Sequence, residues 1–312
     1  MTRLRTIEGA TAAVAPFDFA KTLDFLRGFP PTLGKLLVVD DSLYWAARVT
    51  GRIVLFHVRS KGAAPDGVLD YTLHTGGPGG TEEIEQDAVW WLRWLLSLDD
   101  DLGDFYGLAQ NDLCFALVVR ELNGYHQAKF GSPFEAATWA IVSQRNRPST
   151  AREMYQSLLK TLGHPIRLEG HDYWAFPDPQ EVASLGEADL PFARHSLRRG
   201  EYILDAARAF ASVTPDFLRC APDAELEEWL RGIRGIGPWS ARFILLRALG
   251  RYQGLPENER GLMRAASLVY GAGMPMRPQD VERISNEYGQ WRGYWAHYLR
   301  VWAQNRETPR SL

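Results

Sequence analysis

The sequence predicts an α+β fold: a strand-rich region with a helix near the N-terminus, then a mostly helical remainder. Three observations carry this. Residues 30–75 hold successive runs rich in β-branched, aromatic and other apolar residues, separated by short breaks. From Glu82 onward, apolar residues recur at helical spacing almost to the end. The 312 residues exceed one ordinary core and point to two or three domains. With 46% hydrophobic and 23% charged residues, the chain has the composition of a folded protein and not of a disordered one. No run approaches the roughly 18 apolar residues of a membrane span. Met1–Glu8 lacks the apolar core of a secretion signal. The two cysteines, Cys114 and Cys220, are too few for a disulfide framework, an all-cysteine zinc site or a four-thiolate cluster. A reduced, cytoplasmic setting is expected.

Taken in order, Asp18–Arg27 reads as a helix packed on a sheet. The strand runs are Leu36–Val39, Leu43–Val49 and Arg52–Val58, broken by Asp40-Asp41 and by Thr50-Gly51, a two-residue hairpin turn. The glycine-rich stretch Thr75–Gly80 lacks the Lys-Ser/Thr of a phosphate loop and reads as a turn. Glu82–Leu98 is an amphipathic helix whose Trp90, Trp91 and Trp94 suit a core better than a ligand site. The acidic run Asp99–Asp101 marks a boundary. Helices are expected at Leu113–Leu122, Pro133–Val142, Ser149–Leu162, Pro179–Ser184, Glu201–Ser212, Ala224–Arg231, Ser240–Leu249, Gly261–Tyr270 and Pro278–Trp302. His164–Pro179 and Arg251–Pro256 break the helical pattern.

Charge is unevenly spread. Residues 1–193 carry 17 Lys+Arg against 25 Asp+Glu, whereas residues 194–312 carry 18 against 13, and all 18 are arginine. Arginine donates two hydrogen bonds at once and suits phosphate recognition, although a GC-rich genome produces the same bias. Within this basic part, Ile233–Ser240 reads Ile-Arg-Gly-Ile-Gly-Pro-Trp-Ser. One helix ends before this turn and another begins near Pro238, a residue favoured in a first helical turn. Backbone N–H groups at such a helix start bind phosphate without reading sequence. A plain helical corner is the other reading of these glycines, Gly235 and Gly237, which are placed to allow positive φ and close approach.

The turn Gly235-Ile236-Gly237-Pro238-Trp239-Ser240-Ala241 resembles the hairpin of the helix-hairpin-helix DNA glycosylases, in particular their 3-methyladenine DNA glycosylase II branch. Ser132–Ala136 with Ala140–Gln144, Leu197–Ile203, and Trp291–Tyr294 are similar to three further motifs of that branch. Pro16-Phe17-Asp18 and the strands after it resemble its N-terminal domain. The resemblance covers most of the chain. It implies an N-terminal mixed α/β domain at 1–98 and two all-α domains that form a cleft, one at 132–260 with the hairpin and one at 99–131 joined with 261–312.

The implied activity is excision of alkylated bases from duplex DNA: the lesion nucleotide is flipped out and its N-glycosidic bond is hydrolysed. Bifunctional relatives carry a lysine two residues after the last hairpin glycine. Here that place is Trp239, so no Schiff base and no strand cleavage are expected. The family's catalytic Asp falls on Glu259, within Pro256-Glu257-Asn258-Glu259-Arg260-Gly261-Leu262. A carboxylate there would stabilise an oxocarbenium-like sugar and orient water. The alternative is that Asn258 caps a helix and Glu259 complements its dipole. Glu257 is a weaker catalytic candidate.

The resemblance places Trp239, Phe243, Arg260 and, allowing a one-residue slip, Trp302 around the extruded base. An aromatic pocket suits a cationic alkylated base, whereas Arg260 would favour a neutral or oxidised one. Arg145 falls where relatives carry an apolar wedge; flanked by Gln144 and Asn146, it is expected to fill the gap left by the flipped base, against the alternative of an ordinary surface arginine. DNA contacts are expected at Gln144, Arg145, Asn146, Gly235, Ile236, Gly237 and Ser240. The seven histidines form no ligand pair at metal spacing, so no cofactor is expected; the resemblance allows a monovalent cation on the carbonyls of Ile233 and Ile236. A monomer acting on damaged duplex DNA, with no membrane or obligatory protein partner, is the leading expectation. The rivals are a damaged-DNA-binding protein that has lost hydrolysis and a helical interaction scaffold.

Overall fold

The computed structural model describes residues 4–62, 67–76, 81–191, 197–256, 259–272 and 274–307. The N-terminal part is a five-stranded antiparallel sheet in the order β1-β5-β4-β3-β2. Its strands are β1 (Arg5–Ala12), β2 (Leu37–Val39), β3 (Ser42–Val49), β4 (Arg52–Ser60) and β5 (Val68–Thr75). β1 was not among the expected strands. The Thr50-Gly51 turn is as expected, with both residues at positive φ (44° and 79°). Helix α1 (Phe19–Gly28) is capped by Asp18, whose carboxylate accepts the N–H of Ala20 at 3.1 Å. Of the Thr75–Gly80 turn, residues 77–80 lie outside the described residues.

Alternation in the strands explains why both sheet faces are covered. Leu43, Trp45, Ala47 and Val49 of β3, with Val54, Phe56 and Val58 of β4, point into the main core. Ala46 and Leu55 point the other way, against Ile166, Tyr173 and Ala175. Those three belong to a second hairpin, β6 (His164–Leu168) and β7 (His171–Ala175). The sequence signalled only a break in helix there. Its two-residue turn, Glu169 and Gly170 at φ 49° and 85°, is of the type that joins twisted strands.

The helices are α2 (Thr81–Leu95), α3 (Gly103–Gln110), α4 (Ala116–Leu122), α5 (Pro133–Ser143), α6 (Pro148–Leu162), α7 (Pro179–Ala183), α8 (Leu197–Ala211), α9 (Pro215–Cys220), α10 (Asp223–Gly232), α11 (Pro238–Ala248), α12 (Arg260–Tyr270), α13 (Pro278–Asn286) and α14 (Arg292–Glu307). The expected single helix Pro278–Trp302 is two helices, because Gly289 takes φ +50° and interrupts the hydrogen-bond ladder. Two hydrophobic clusters result. One joins the sheet, α1 and α2 to residues 98–128 and 255–303; the other gathers α5, α6, α8, α10 and α11. Two early aspartates have a structural use: Asp100 of the acidic run accepts hydrogen bonds from the phenols of Tyr252 and Tyr294, and Asp112 accepts them from Tyr270 and Tyr288. These bonds tie the early helical segment to the last helices. Among the described residues, no helix is long and apolar enough to cross a membrane.

Candidate active site

The hairpin links α10 to α11. Leu226, Leu230, Ile233 and Ile236 are buried in the second cluster, which fixes the turn from below. Gly235 has φ +94°, and a Cβ there would lie 2.4 Å from Cγ of Tyr202. Only glycine satisfies both demands. Gly237 differs from expectation: its φ is −90° with extended ψ, so it needs no left-handed freedom, and the space around its missing Cβ is open. It is exposed at the start of α11, Pro238 is in the first turn, and no side chain caps the helix.

Several expected DNA contacts are used inside the protein. Gln144 Nε2 donates to the Gly235 carbonyl at 2.7 Å, and Arg199 donates to the Gln144 carbonyl at 2.7 Å. Asn146 Nδ2 donates to the Val142 carbonyl at 2.7 Å, closing the end of α5. Ser240 is buried, as are the side chains of Ile233 and Ile236. Gln144 and Asn146 thus brace the hairpin and its neighbouring loop through these bonds, while the Ser240 side chain is packed inside the fold. Arg145 is exposed and held at φ +55°, a conformation that a non-glycine residue adopts at some cost. The Gln144 bond places it beside the hairpin.

On α11, Trp239, Phe243 and Arg247 are spaced four apart and share one face. Trp239 stacks on Phe243 with centroids 5.1 Å apart and planes at 13°. The row continues through Phe130, Phe29 and Phe25, each within 6 Å of the next, and ends at His297 of α14, 5.2 Å from Phe25. The buried Arg247 guanidinium lies 5.1 and 4.9 Å from the centroids of Phe25 and Phe29. Burial lowers its pKa to about 10. It also lies against His297, whose pKa is depressed well below its usual value, first by burial and then by this charge.

Glu259 immediately precedes α12. The loop before it is pinned: Arg242 donates to the Leu255 carbonyl at 3.1 Å while pairing with Glu227 at 3.2 Å. Glu259 borders a cavity of about 610 Å³, with Arg242, Glu227, Glu282 and Arg292 among its lining residues. Its side chain is 12% exposed, and its Oε1 lies 3.1 Å from Nη1 of Arg300. Burial raises its pKa, and Arg300 opposes this. Glu257 and Asn258, the other candidates in this loop, lie outside the described residues.

Trp239 and Phe243 are not among the residues lining the Glu259 cavity, because Arg242 presents a different face of α11 to it. The aromatic row and the Glu259 carboxylate each end on a different residue of α14. His297 closes the row, Arg300 reaches Glu259, and Gln304 Nε2 donates to the Gly28 carbonyl at the end of α1 at 3.0 Å. These three residues stand three and four apart, on one face of the helix. Trp302 faces elsewhere and is corrected: it is buried in the core with the Arg306 guanidinium 3.8 Å from its ring centroid, and Arg306 pairs with Glu121 of α4 through two contacts of 2.9 Å. Arg260 is exposed and does not line the cavity. Sequence reading missed Phe25, Phe29, Arg247 and Arg300.

No family model matches the chain. Over 216 residues it is 27% identical to a DNA-3-methyladenine glycosylase of Bacillus subtilis, covering 69% of this chain and 71% of that one. Its fold matches a 3-methyladenine DNA-glycosylase from Archaeoglobus fulgidus with TM-score 0.77 at 21% identity, over 94% of this chain and 98% of the other. It also matches an 8-oxoguanine glycosylase/lyase of Clostridium acetobutylicum with TM-score 0.70 at 18% identity, over 97% and 98%. A sheet followed by helices, with the Gly-Ile-Gly turn leading to a carboxylate, defines the class: a helix-hairpin-helix DNA glycosylase fold. Within that fold, the sequence similarity is to a 3-methyladenine DNA glycosylase.

Proposed function

We propose that the protein is a monofunctional DNA glycosylase of base excision repair, which flips a damaged base out of duplex DNA and hydrolyses its N-glycosidic bond. The observation that carries this is a largely buried carboxylate, Glu259, bordering an open cavity on the chain that leaves the hairpin helix. The start of α11 would hold the DNA backbone, and the aromatic row would meet the extruded base. As the bond to the base lengthens, positive charge develops on the sugar; the Glu259 carboxylate stabilises it and orients the attacking water. The product is a free base and an abasic site. Alkylated, 3-methyladenine-like bases are the proposed substrates, supported by what the Bacillus relative is named for.

Hydrolysis without strand cleavage is the finer part of the proposal. The chain's lysines are Lys21, Lys35, Lys61, Lys129 and Lys160, so neither the hairpin nor α11 carries an amine to attack the sugar. Lys35 and Lys129 are buried, the first paired with Glu135 and the second hydrogen-bonded to Ser97. Borohydride reduction during turnover is expected to trap no protein–DNA adduct, and strands should break only after alkali. A trapped adduct would refute this part.

A monovalent cation on the hairpin carbonyls of Ile233 and Ile236 is a further part of the proposal. The Ile233 carbonyl already accepts the Ile236 N–H at 3.0 Å, and a carbonyl has a second lone pair to offer. Such an ion would strengthen the hold on a phosphate.

We propose further that Arg145 enters the space vacated by the flipped nucleotide. An exposed arginine in a costly left-handed conformation beside the hairpin supports this. Arg145→Ala should weaken binding to a lesion duplex about tenfold or more, and to single strands about twofold, in fluorescence anisotropy titrations. Equal losses on both would mark Arg145 as an ordinary phosphate contact.

A further inference from the structure

The catalytic carboxylate proposed above stands on a glutamate stem, one methylene longer than the aspartate of the family pattern. A longer stem adds a rotatable bond, and a catalytic group misplaced by about 1 Å can lose about a hundredfold in rate. Something has to restrain it.

We infer that Arg300 is the positioning residue for Glu259, fixing the carboxylate of the longer stem at the first turn of α12. Three independent features of the structure support this. The pair is direct, Arg300 Nη1 to Glu259 Oε1 at 3.1 Å, and it joins α14 to the start of α12. Room for it is left by Gly261: a Cβ there would lie 3.0 Å from Glu259 Oε1 and 3.3 Å from Arg300 Nε. Gly261 has no positive φ, so its lack of a side chain serves space and not backbone conformation. Finally, Arg300 lies three residues beyond His297 and four before Gln304, so it shares the face of α14 on which His297 meets Phe25 and Gln304 meets the end of α1. An aspartate at 259 would draw the carboxylate back by about 1.5 Å, one C–C bond, and leave Arg300 short of contact. Glutamate at 259, glycine at 261 and arginine at 300 therefore act as one matched set.

The charges that face Glu259 are Arg300 from α14 and Glu227, Arg242, Glu282 and Arg292 across the cavity, while the neighbouring Arg260 is exposed. Burial raises the Glu259 pKa and Arg300 lowers it. A reaction that needs the carboxylate ionised runs above this pKa and is lost as pH falls through it. Removing Arg300 takes away the lowering influence, so the acid limb of the rate profile moves to higher pH.

The inference rests on the glycosylase reading, and two readouts separate them. Single-turnover base release is measured against pH for the full chain and for Arg300→Ala, Arg300→Lys and Glu259→Asp. The carboxyl carbon of Glu259 is titrated by NMR in the full chain and in Arg300→Ala. We expect Arg300→Ala to lose about tenfold to a hundredfold in the chemical rate with KM nearly unchanged, and to shift both acid limb and carboxyl titration upward. Arg300→Lys should recover much of the rate, and Glu259→Asp should lose activity. A loss in Arg300→Ala confined to KM, with a shallower salt dependence, would make Arg300 a phosphate contact and overturn the inference. So would an unshifted profile, or a gain in Glu259→Asp. If the full chain releases no base from any lesion, the glycosylase reading falls and the positioning role with it, whatever the carboxyl titration reports about the pair.

Discussion

Glu259→Gln is expected to reduce base release by roughly 10³-fold while leaving affinity for a lesion duplex within about twofold. Glutamine keeps the shape of the side chain and can still hydrogen-bond a water. It cannot oppose the positive charge that grows on the sugar as the bond to the base breaks. The variant should fold normally, because the partner left behind, Arg300, is 46% exposed and can turn to solvent. Single-turnover release of free base, followed by chromatography, reads the chemical step; anisotropy on the same duplex reads binding. Loss of both together would point to a misplaced loop, since Glu259 stands at the entrance to α12.

Gly235→Ala should have the largest structural effect, a destabilisation of about 2–5 kcal/mol in urea unfolding, together with loss of duplex binding. Two costs add here. Alanine resists φ +94°, and its Cβ would meet the Tyr202 ring at 2.4 Å, a contact that must push backbone or ring aside. Tyr202 has little freedom to give way, because Arg198 and Arg234 lie over its ring at 5.8 and 5.4 Å and Arg198 donates to its hydroxyl at 2.7 Å. The hairpin carbonyl that accepts from Gln144 would move with the turn, and the loop carrying Arg145 would move with it. Adding Tyr202→Ala to Gly235→Ala should recover only the steric share. Gly237→Ala, where nothing lies within 4 Å of the missing Cβ and φ is negative, should be nearly neutral for folding. Equal effects at the two glycines would contradict this account of the turn.

Local patterns carried much of the architecture. The Gly-Ile-Gly-Pro-Trp segment marks both the end of one helix and the start of the next, because proline and a left-handed glycine each permit few conformations. The β6–β7 hairpin was not legible: its strands are five residues long, and what buries them is the outer face of a sheet distant in sequence. The break between α13 and α14 depends on a single glycine inside an otherwise helical pattern. For the candidate site, Glu259 was singled out by the match at its neighbours Pro256 and Gly261, whereas the ungapped count that reached Trp302 says nothing about which face of α14 turns inward. Arg300 was invisible for the same reason. Its partner lies 41 positions away, and only the packing of α14 against the start of α12 brings them together. Gln144 and Asn146 look like surface polar residues in sequence, and their hydrogen bonds to backbone carbonyls appear only once the hairpin is folded.

The most direct test is base release from a panel of duplexes, each holding one alkylated, deaminated or oxidised base, with Glu259→Gln run alongside. The account predicts free base and an intact, alkali-labile strand from at least one lesion with the natural chain, and almost none with the variant. Tight, salt-dependent binding to the same duplexes with no base released, or release that is unchanged in Glu259→Gln, would contradict it.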